Sequence, residues 1–295
     1  MDIYYYSKLE KILNKEVIDI FINVIHTECK NIRKPKYSTE YLLYYIILVL
    51  TDLQKWSSLS LILLNDIRYH YSIIKKTHLK WSKLNIYKKV YNILLEKYKL
   101  NNLKLSKNMV LFIDSTNIYN KNGSEKVGYG QNPKKKESRI SLICDSFRNI
   151  YSLTLIDTYN NKNNKNNNKK RKNKKKALKT LPHDSTTIQS SLNDLVLNNI
   201  KYKTLYIVAD SGYATRKENK EILYNNYNVK LAYPHKKNQK IKTSKKDKKL
   251  LINRYIVENT FAHIKNFSRI CMRQDKLEIT YMGFVFLGAI LKFKK

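Results

Sequence analysis

The order of apolar segments after residue 108 constrains the fold more than any other feature of the chain. Three short apolar runs follow one another: MVLFIDST (109–116), SRISLICD (138–145) and NIYSLTLID (149–157). Runs of this length bounded by turn residues are typical of buried strands. The segment between the first two runs holds three of the six glycines and is predicted to be a loop. Together the runs predict a three-stranded antiparallel meander.

Helices and strands then alternate. The predicted elements are a helix in HDSTTIQSSLNDLVLNN (183–199), a strand in TLYIVADSGY (204–213), a helix in TRKENKEILYNNY (215–227), a strand in VKLAYP (229–234), a long helix from about 249 to 269 and an apolar helix near 279–291. Asp184 or Ser185 is expected to cap the helix at 183–199. This order predicts an α/β fold, a ribonuclease-H-like mixed sheet flanked by helices.

Residues 1–104 are predicted to form a separate, all-helical N-terminal domain, because glycine and proline are nearly absent and apolar residues recur at helical spacing. Bases surround the segment YSIIKKTHLKW (71–81). Two interpretations stand: a helix-turn-helix-like DNA reader, or a plain helical subdomain. Residues 105–295 are predicted to form the ribonuclease-H-like domain.

The charge of the chain favours a polyanionic partner. There are 58 Lys and Arg residues against 23 Asp and Glu, a net charge of +35, and such a bias fits nucleic acid. AT-rich coding, which inflates Lys, Asn, Ile and Tyr together, is the alternative.

The tract at 160–176, NNKNNKNNNKKRKNKKK, has no apolar residue and is predicted to be a disordered basic insertion. It is either a phosphate-binding or targeting segment, or a neutral expansion.

Cysteine usage and the apolar runs indicate an intracellular protein. The three cysteines lie far apart, without metal-binding spacing, and favour a reducing compartment. His183 and His263 lack zinc-site spacing and are expected to pack, to cap a helix or to lie beside phosphate. The N-terminus has no signal-peptide pattern, and the longest apolar runs are too short to span a bilayer. We therefore expect a DNA-associated location and no membrane partner.

Two of the predicted strands end in an aspartate, Asp114 in the first and Asp210 in the fourth. These strands are neighbours in the predicted sheet, so the carboxylates are expected to meet at one edge, where ligands bind. Glu258 is predicted to lie on the late helix that packs over that edge. Crowded carboxylates are costly unless a cation pairs with them. Oxygen ligands suit Mg²⁺ or Mn²⁺, and two such ions serve phosphodiester chemistry.

The segment that begins with RYIVENTFAHIK (254–265) predicts a stripe of bases around Glu258. On a continuous helix at about 100° per residue, Arg254, Lys265 and Arg269 fall within about 40° of Glu258, and Arg273 falls about 60° away. Such a stripe fits DNA phosphate beside a metal site, whereas a solvated charged face is the simpler interpretation. Three bases near the second strand are further candidate DNA contacts: Lys135, Lys136 and Arg139.

Three blocks resemble the motif blocks of DDE transposases encoded by bacterial insertion sequences of groups four and five: FIDSTNI (112–118), VADSGY (208–213) and RYIVENTFAHIKNFSRICMRQDK (254–276). In those enzymes the last block carries Arg, three residues, Glu, six residues and Lys, which is the spacing of Arg254, Glu258 and Lys265. Some relatives have Tyr three residues before the Arg, where this chain has Leu251. The resemblance covers roughly residues 105–291, and the Asn/Lys tract interrupts it.

The resemblance implies a mechanism. Asp114, Asp210 and Glu258 would hold two divalent ions, and an activated water would cut a phosphodiester at the element's end. The freed 3′-OH would then attack target DNA. Double-stranded DNA is the implied partner, and pairing of two ends implies a homodimer or a larger assembly. Tyr213 is expected to be structural or base-stacking.

Two alternatives remain open from the residues. One is a domesticated DNA-binding protein that retains the fold without the chemistry, against which the intact acid set argues. The other is a nuclease of the same fold that hydrolyses DNA but never joins strands. A strand-transfer assay separates the latter from a transposase.

Overall fold

The computed structural model describes residues 2–30, 37–53, 55–63, 70–100, 108–130, 135–160, 179–195, 204–214, 217–235 and 243–293. Apart from its first residue, the predicted Asn/Lys insertion lies outside these ranges. The chain divides into two compact units, one of residues 1–102 with 263–295 and the other of residues 103–262. The predicted boundary between 104 and 105 therefore differs from the structure in its treatment of residues 263–295.

Within the described ranges, the helices are α1 (Ile3–Glu10), α2 (Lys15–Glu28), α3 (Thr39–Leu48), α4 (Leu59–Ile62), α5 (Tyr71–Lys83), α6 (Ile86–Leu100), α7 (Asp184–Asn193), α8 (Lys217–Tyr227), α9 (Lys245–Leu251), α10 (Tyr255–Lys265), α11 (Ser268–Cys271) and α12 (Glu278–Ile290). The strands are β1 (Asn108–Asn120), β2 (Gly128–Tyr129), β3 (Lys136–Cys144), β4 (Ile150–Leu155), β5 (Tyr159–Asn160), β6 (Lys179–Thr180), β7 (Thr204–Val208), β8 (Val229–Ala232) and β9 (Met272–Arg273).

The first unit is helical, and its core explains why residues 263–295 belong to it. Helix α12 is almost wholly apolar and buried, and it packs against α5 and α6. Gly283 allows this close packing, because a Cβ there would lie 2.5 Å from the Ser82 hydroxyl oxygen. An apolar helix of this kind is stable only when neighbouring helices cover it on most sides.

The second unit contains the mixed sheet. β1 pairs antiparallel with β3, and β3 pairs antiparallel with β4, which is the predicted meander. On its other side β1 pairs parallel with β7, and β7 pairs parallel with β8. The order β4-β3-β1-β7-β8, with these directions, is ribonuclease-H-like, so the predicted fold class is confirmed. The short strands β2, β6 and β5 extend the β3 edge.

Helices cover both faces of this sheet. Ser191 of α7 donates a 2.7 Å hydrogen bond to Ser141 of β3, whereas Thr260 of α10 lies 3.7 Å from the sulfur of Cys144 on the same strand. Residues 141 and 144 point to opposite faces because side chains alternate along a strand. Among the described residues, no helix is both long enough and apolar enough to cross a membrane.

Two predicted boundaries are wrong. Asp114 lies inside β1 rather than at its end, because β1 continues beside β3 as far as Tyr119 after β7 has stopped. The predicted helix from 249 to 269 is interrupted. A 3-10 turn at Ile252–Arg254 separates α9 from α10, and the extended backbone of Phe267 separates α10 from α11.

Candidate active site

The register of β1 and β7 brings Asp114 and Asp210 to the same end of the sheet. The last paired residues are Phe112 and Val208, and each aspartate follows two residues later. A backbone N–H fixes each carboxylate: Ser115 N–H donates to Asp114 Oδ1 at 2.8 Å, and Gly212 N–H donates to Asp210 Oδ1 at 2.7 Å. Both acids are therefore oriented by the turn or strand that carries them.

Burial raises the pKa of Asp114 to about 6. The Ser115 N–H hydrogen bond lowers this pKa, the charge of Asp210 raises it, Arg254 lowers it, and Asp184 raises it further. Burial and two acidic neighbours both penalise the charged form of a carboxyl group. Asp114 thus lies in an environment that a cation would neutralise.

Asp114→Asn is expected to stabilise the folded protein, but only at pH values at which the Asp114 carboxyl group would be ionised. Because the folded-state pKa is raised, ionisation opposes folding as the pH rises from 3.8 through about 6. Above that interval the cost levels off at about 2–3 kcal/mol. Urea unfolding at about pH 4 and near pH 8 measures it, with only a small gain at the lower value and the full gain at the higher. Asp157→Asn, at a highly exposed acid, is the control. An equal gain at both pH values would contradict the assignment.

Glu258 is exposed on α10 and forms an ion pair with Arg254. Its Oε1 accepts a 2.7 Å ion-pair contact from Arg254, one helical turn earlier. Arg254 also lowers the pKa of Asp114, so its guanidinium acts on both acids. In the part of the chain that the structure describes, no group of three or more His, Cys, Asp or Glu side chains is placed to hold a metal ion.

Asp184 is a further carboxylate at this end of the sheet, and from the sequence it was expected only to cap a helix. His183 is the N-cap residue, and Asp184 is the first residue of α7. Its Oδ1 accepts a short hydrogen bond from the Ser115 hydroxyl and a 2.5 Å contact from Arg139. A signal in the sequence is the DST triplet, which occurs at both Asp114 and Asp184.

Tyr213 is fully buried, so it does not stack on a base as one interpretation expected. Among the described residues, its hydroxyl meets no partner in hydrogen-bond geometry. Burial raises the pKa of this phenol well above its usual value, and the negative charge of Asp184 adds to the shift. Tyr213 therefore keeps its proton next to the acids.

Two predicted DNA contacts are wrong. Arg269 and Arg273 are 2% and 0% exposed, and buried guanidinium groups do not reach DNA phosphate. Arg269 pairs with Asp275 through two contacts of 2.8 and 3.1 Å. Arg273 donates to the backbone carbonyls of Asp275 and Lys276. The helical stripe around Glu258 fails beyond Lys265 because α10 ends there.

The remaining predicted bases have different environments. Arg139 is mostly buried and donates to Ser115, to the carbonyl of Pro182 and to Asp184, so it is not available to DNA. Lys135 and Lys136 are exposed at the start of β3, and Lys265 is half-buried at the end of α10.

No protein-family model matches the chain, and no curated protein matches it. Solved structures that are similar include a cryo-EM structure of a piggyBac transposase synaptic complex with hairpin DNA, at 9% identity and a TM-score of 0.47, covering 99% of this chain and 73% of that chain. A crystal structure of a pre-cleavage Mos1 transpososome has 13% identity and a TM-score of 0.26, covering 88% of this chain and 78% of that chain.

Proposed function

We propose that the chain is a DNA transposase that cleaves phosphodiesters at transposon ends and transfers the freed 3′-OH to target DNA. One observation carries this proposal. Asp114 and Asp210 each lie two residues beyond the last paired residues of the parallel strands β1 and β7, so both are at the same end of the sheet. Helix α10, which bears Glu258, packs on the face of the sheet to which Asp114 belongs, as the contact between Thr260 and Cys144 indicates.

The acids fit a hard divalent cation in their chemistry. Asp114 is partly buried near Asp210 and Asp184, and carboxylate oxygens are the ligands that Mg²⁺ and Mn²⁺ prefer. We propose that Asp114, Asp210 and Glu258 hold two such ions. When bound, the ions would activate the attacking oxygen and stabilise the leaving oxygen.

Arg254 and Glu258 act as a linked pair in this proposal. Glu258 now accepts from Arg254, so its carboxylate must exchange that partner to join the other two acids. Arg254 would then be available for a DNA phosphate, which guanidinium binds well. The exchange fits a site in which Glu258 joins Asp114 and Asp210 only when DNA is present.

The proposed partner is double-stranded DNA, both transposon ends and target. The net charge of +35 supplies strong attraction to phosphate. The exposed Lys135 and Lys136, together with Arg254 and Lys265, are the proposed contacts. Synapsis of two ends requires a homodimer or a larger assembly, and we propose a DNA-associated, intracellular location.

Metal-dependent scission of DNA that carries the gene's own genomic flanks tests this function. The full chain is expected to nick the flanking repeats in Mg²⁺ or Mn²⁺, to stop in EDTA, and to join the cut strand to a second duplex. DNA of the same length and scrambled sequence is the control. Scission without joining would favour the hydrolytic nuclease, and DNA binding without scission at any metal concentration would favour the domesticated protein.

A further inference from the structure

Asp184 touches both segments that carry the paired aspartates. On the β1 side its Oδ1 accepts from the hydroxyl of Ser115, and the N–H of the same serine fixes Asp114 Oδ1. Arg139 closes this group by donating to Ser115 at 2.8 Å and to Asp184 at 2.5 Å. The orientation of Asp114 is thus linked to Asp184 through a single residue.

On the β7 side, Asp184 lies near Gly212 in the 3-10 turn Ser211–Tyr213, which Asp210 caps. A Cβ built on Gly212 would lie 2.9 Å from Asp184 Oδ2 and 3.0 Å from Asp210 Oδ1. The distance between Asp184 Oδ2 and Asp210 Oδ1 therefore cannot exceed the sum of these two values. The N–H of Gly212 fixes Asp210 Oδ1, just as that of Ser115 fixes Asp114. The absence of a side chain at Gly212 leaves room for both carboxylates beside this residue.

The buried hydroxyl of Tyr213 is a separate observation at the same place. It follows Gly212 directly, it is 0% exposed, and in the described part of the chain it has no partner in hydrogen-bond geometry, although the Ser115 hydroxyl lies close enough to lower its pKa. Buried tyrosine hydroxyls usually find one. A buried phenol hydroxyl beside Asp184 and Ser115 is therefore placed to donate to an oxygen of a bound ligand.

We propose that Asp184 is a positioning residue, which sets the separation of Asp114 and Asp210 for a divalent cation by holding Ser115 on one side and the Gly212 turn on the other. This inference rests on the proposed function. Partners that orient metal ligands from behind commonly change metal affinity by about 10-fold to 100-fold when they are removed.

Mn²⁺ binding to the full-length protein without DNA, followed by electron paramagnetic resonance, tests the inference. Asp184→Asn and Ser115→Ala are each expected to weaken Mn²⁺ binding about tenfold. Since Ser115 is proposed to act through its contact with Asp184, the double variant is expected to be no weaker than the worse single variant. Gly212→Ala, whose methyl group would press on both carboxylates, is expected to weaken binding as well. Asp194→Asn, the C-cap acid of the same helix, is the matched control and leaves binding unchanged.

The outcomes separate the two proposals. If Asp114→Asn and Asp210→Asn leave Mn²⁺ binding intact, the proposed metal-dependent function fails. If those two variants abolish binding while Asp184→Asn stays within about twofold of the wild type, only the role of Asp184 fails. A lowered unfolding midpoint with unchanged Mn²⁺ affinity, or additive losses in the double variant, would also overturn it.

Discussion

Asp114→Asn, Asp210→Asn and Glu258→Gln are each expected to lower DNA cleavage by about a thousandfold or more, the scale seen when a member of a catalytic group is removed. Each substitution keeps the shape of the side chain and removes the charge that would hold a divalent ion. DNA affinity is expected to persist, because the proposed phosphate contacts are unchanged. Single-turnover cleavage and a gel-shift titration with the same DNA separate the two effects.

Matched acids control for loss of charge alone. Asp157→Asn changes a highly exposed aspartate, and Glu221→Gln changes an exposed glutamate on α8. Both are expected to cleave at the wild-type rate. Cleavage that survives in all three site variants would contradict the assignment of these three residues as the catalytic carboxylates. Survival in Glu258→Gln alone would mean that the third carboxylate is another residue, for which Asp184 is the nearest candidate.

The strand order and the pairing of Asp114 with Asp210 could be predicted because both follow from local patterns. Short apolar runs identify strands, and their succession fixes which strands are neighbours. Once β1 and β7 are parallel neighbours, the positions of the two aspartates follow, even though β1 continues past Asp114. An error in the end of a strand does not move a residue to another edge of the sheet.

The role of Asp184 and the burial of two arginines could not be predicted, because both depend on tertiary contacts. A helical wheel assumes a continuous helix, and the chain leaves the helix at Phe267. Arg269 then meets Asp275 and two aromatic rings rather than solvent. Asp184 reaches Ser115 from 69 residues away, which no spacing rule anticipates.

Asp275→Ala is expected to destabilise the protein by about 3–5 kcal/mol, because it removes the carboxylate that pairs with the buried charge of Arg269. Arg269 is 2% exposed, and its guanidinium lies 4.6 Å from the ring centre of Phe284 and 5.2 Å from that of Trp56. A loss of this size is a large part of the 5–15 kcal/mol that typically holds a domain folded. Urea or thermal unfolding measures it.

A surface pair and a double variant complete the test of this buried pair. Lys89 and Glu28 form an ion pair at 2.6 Å with both side chains partly exposed, so Glu28→Ala is expected to cost no more than about 1 kcal/mol. The double variant Arg269→Met/Asp275→Leu is expected to recover most of the lost stability, because it removes both charges and keeps apolar volume. If Asp275→Ala costs no more than Glu28→Ala, the buried charge is solvated by another route. If the double variant is as unstable as Asp275→Ala, the contacts of Arg269 with Trp56 and Phe284 contribute more than its charge pairing.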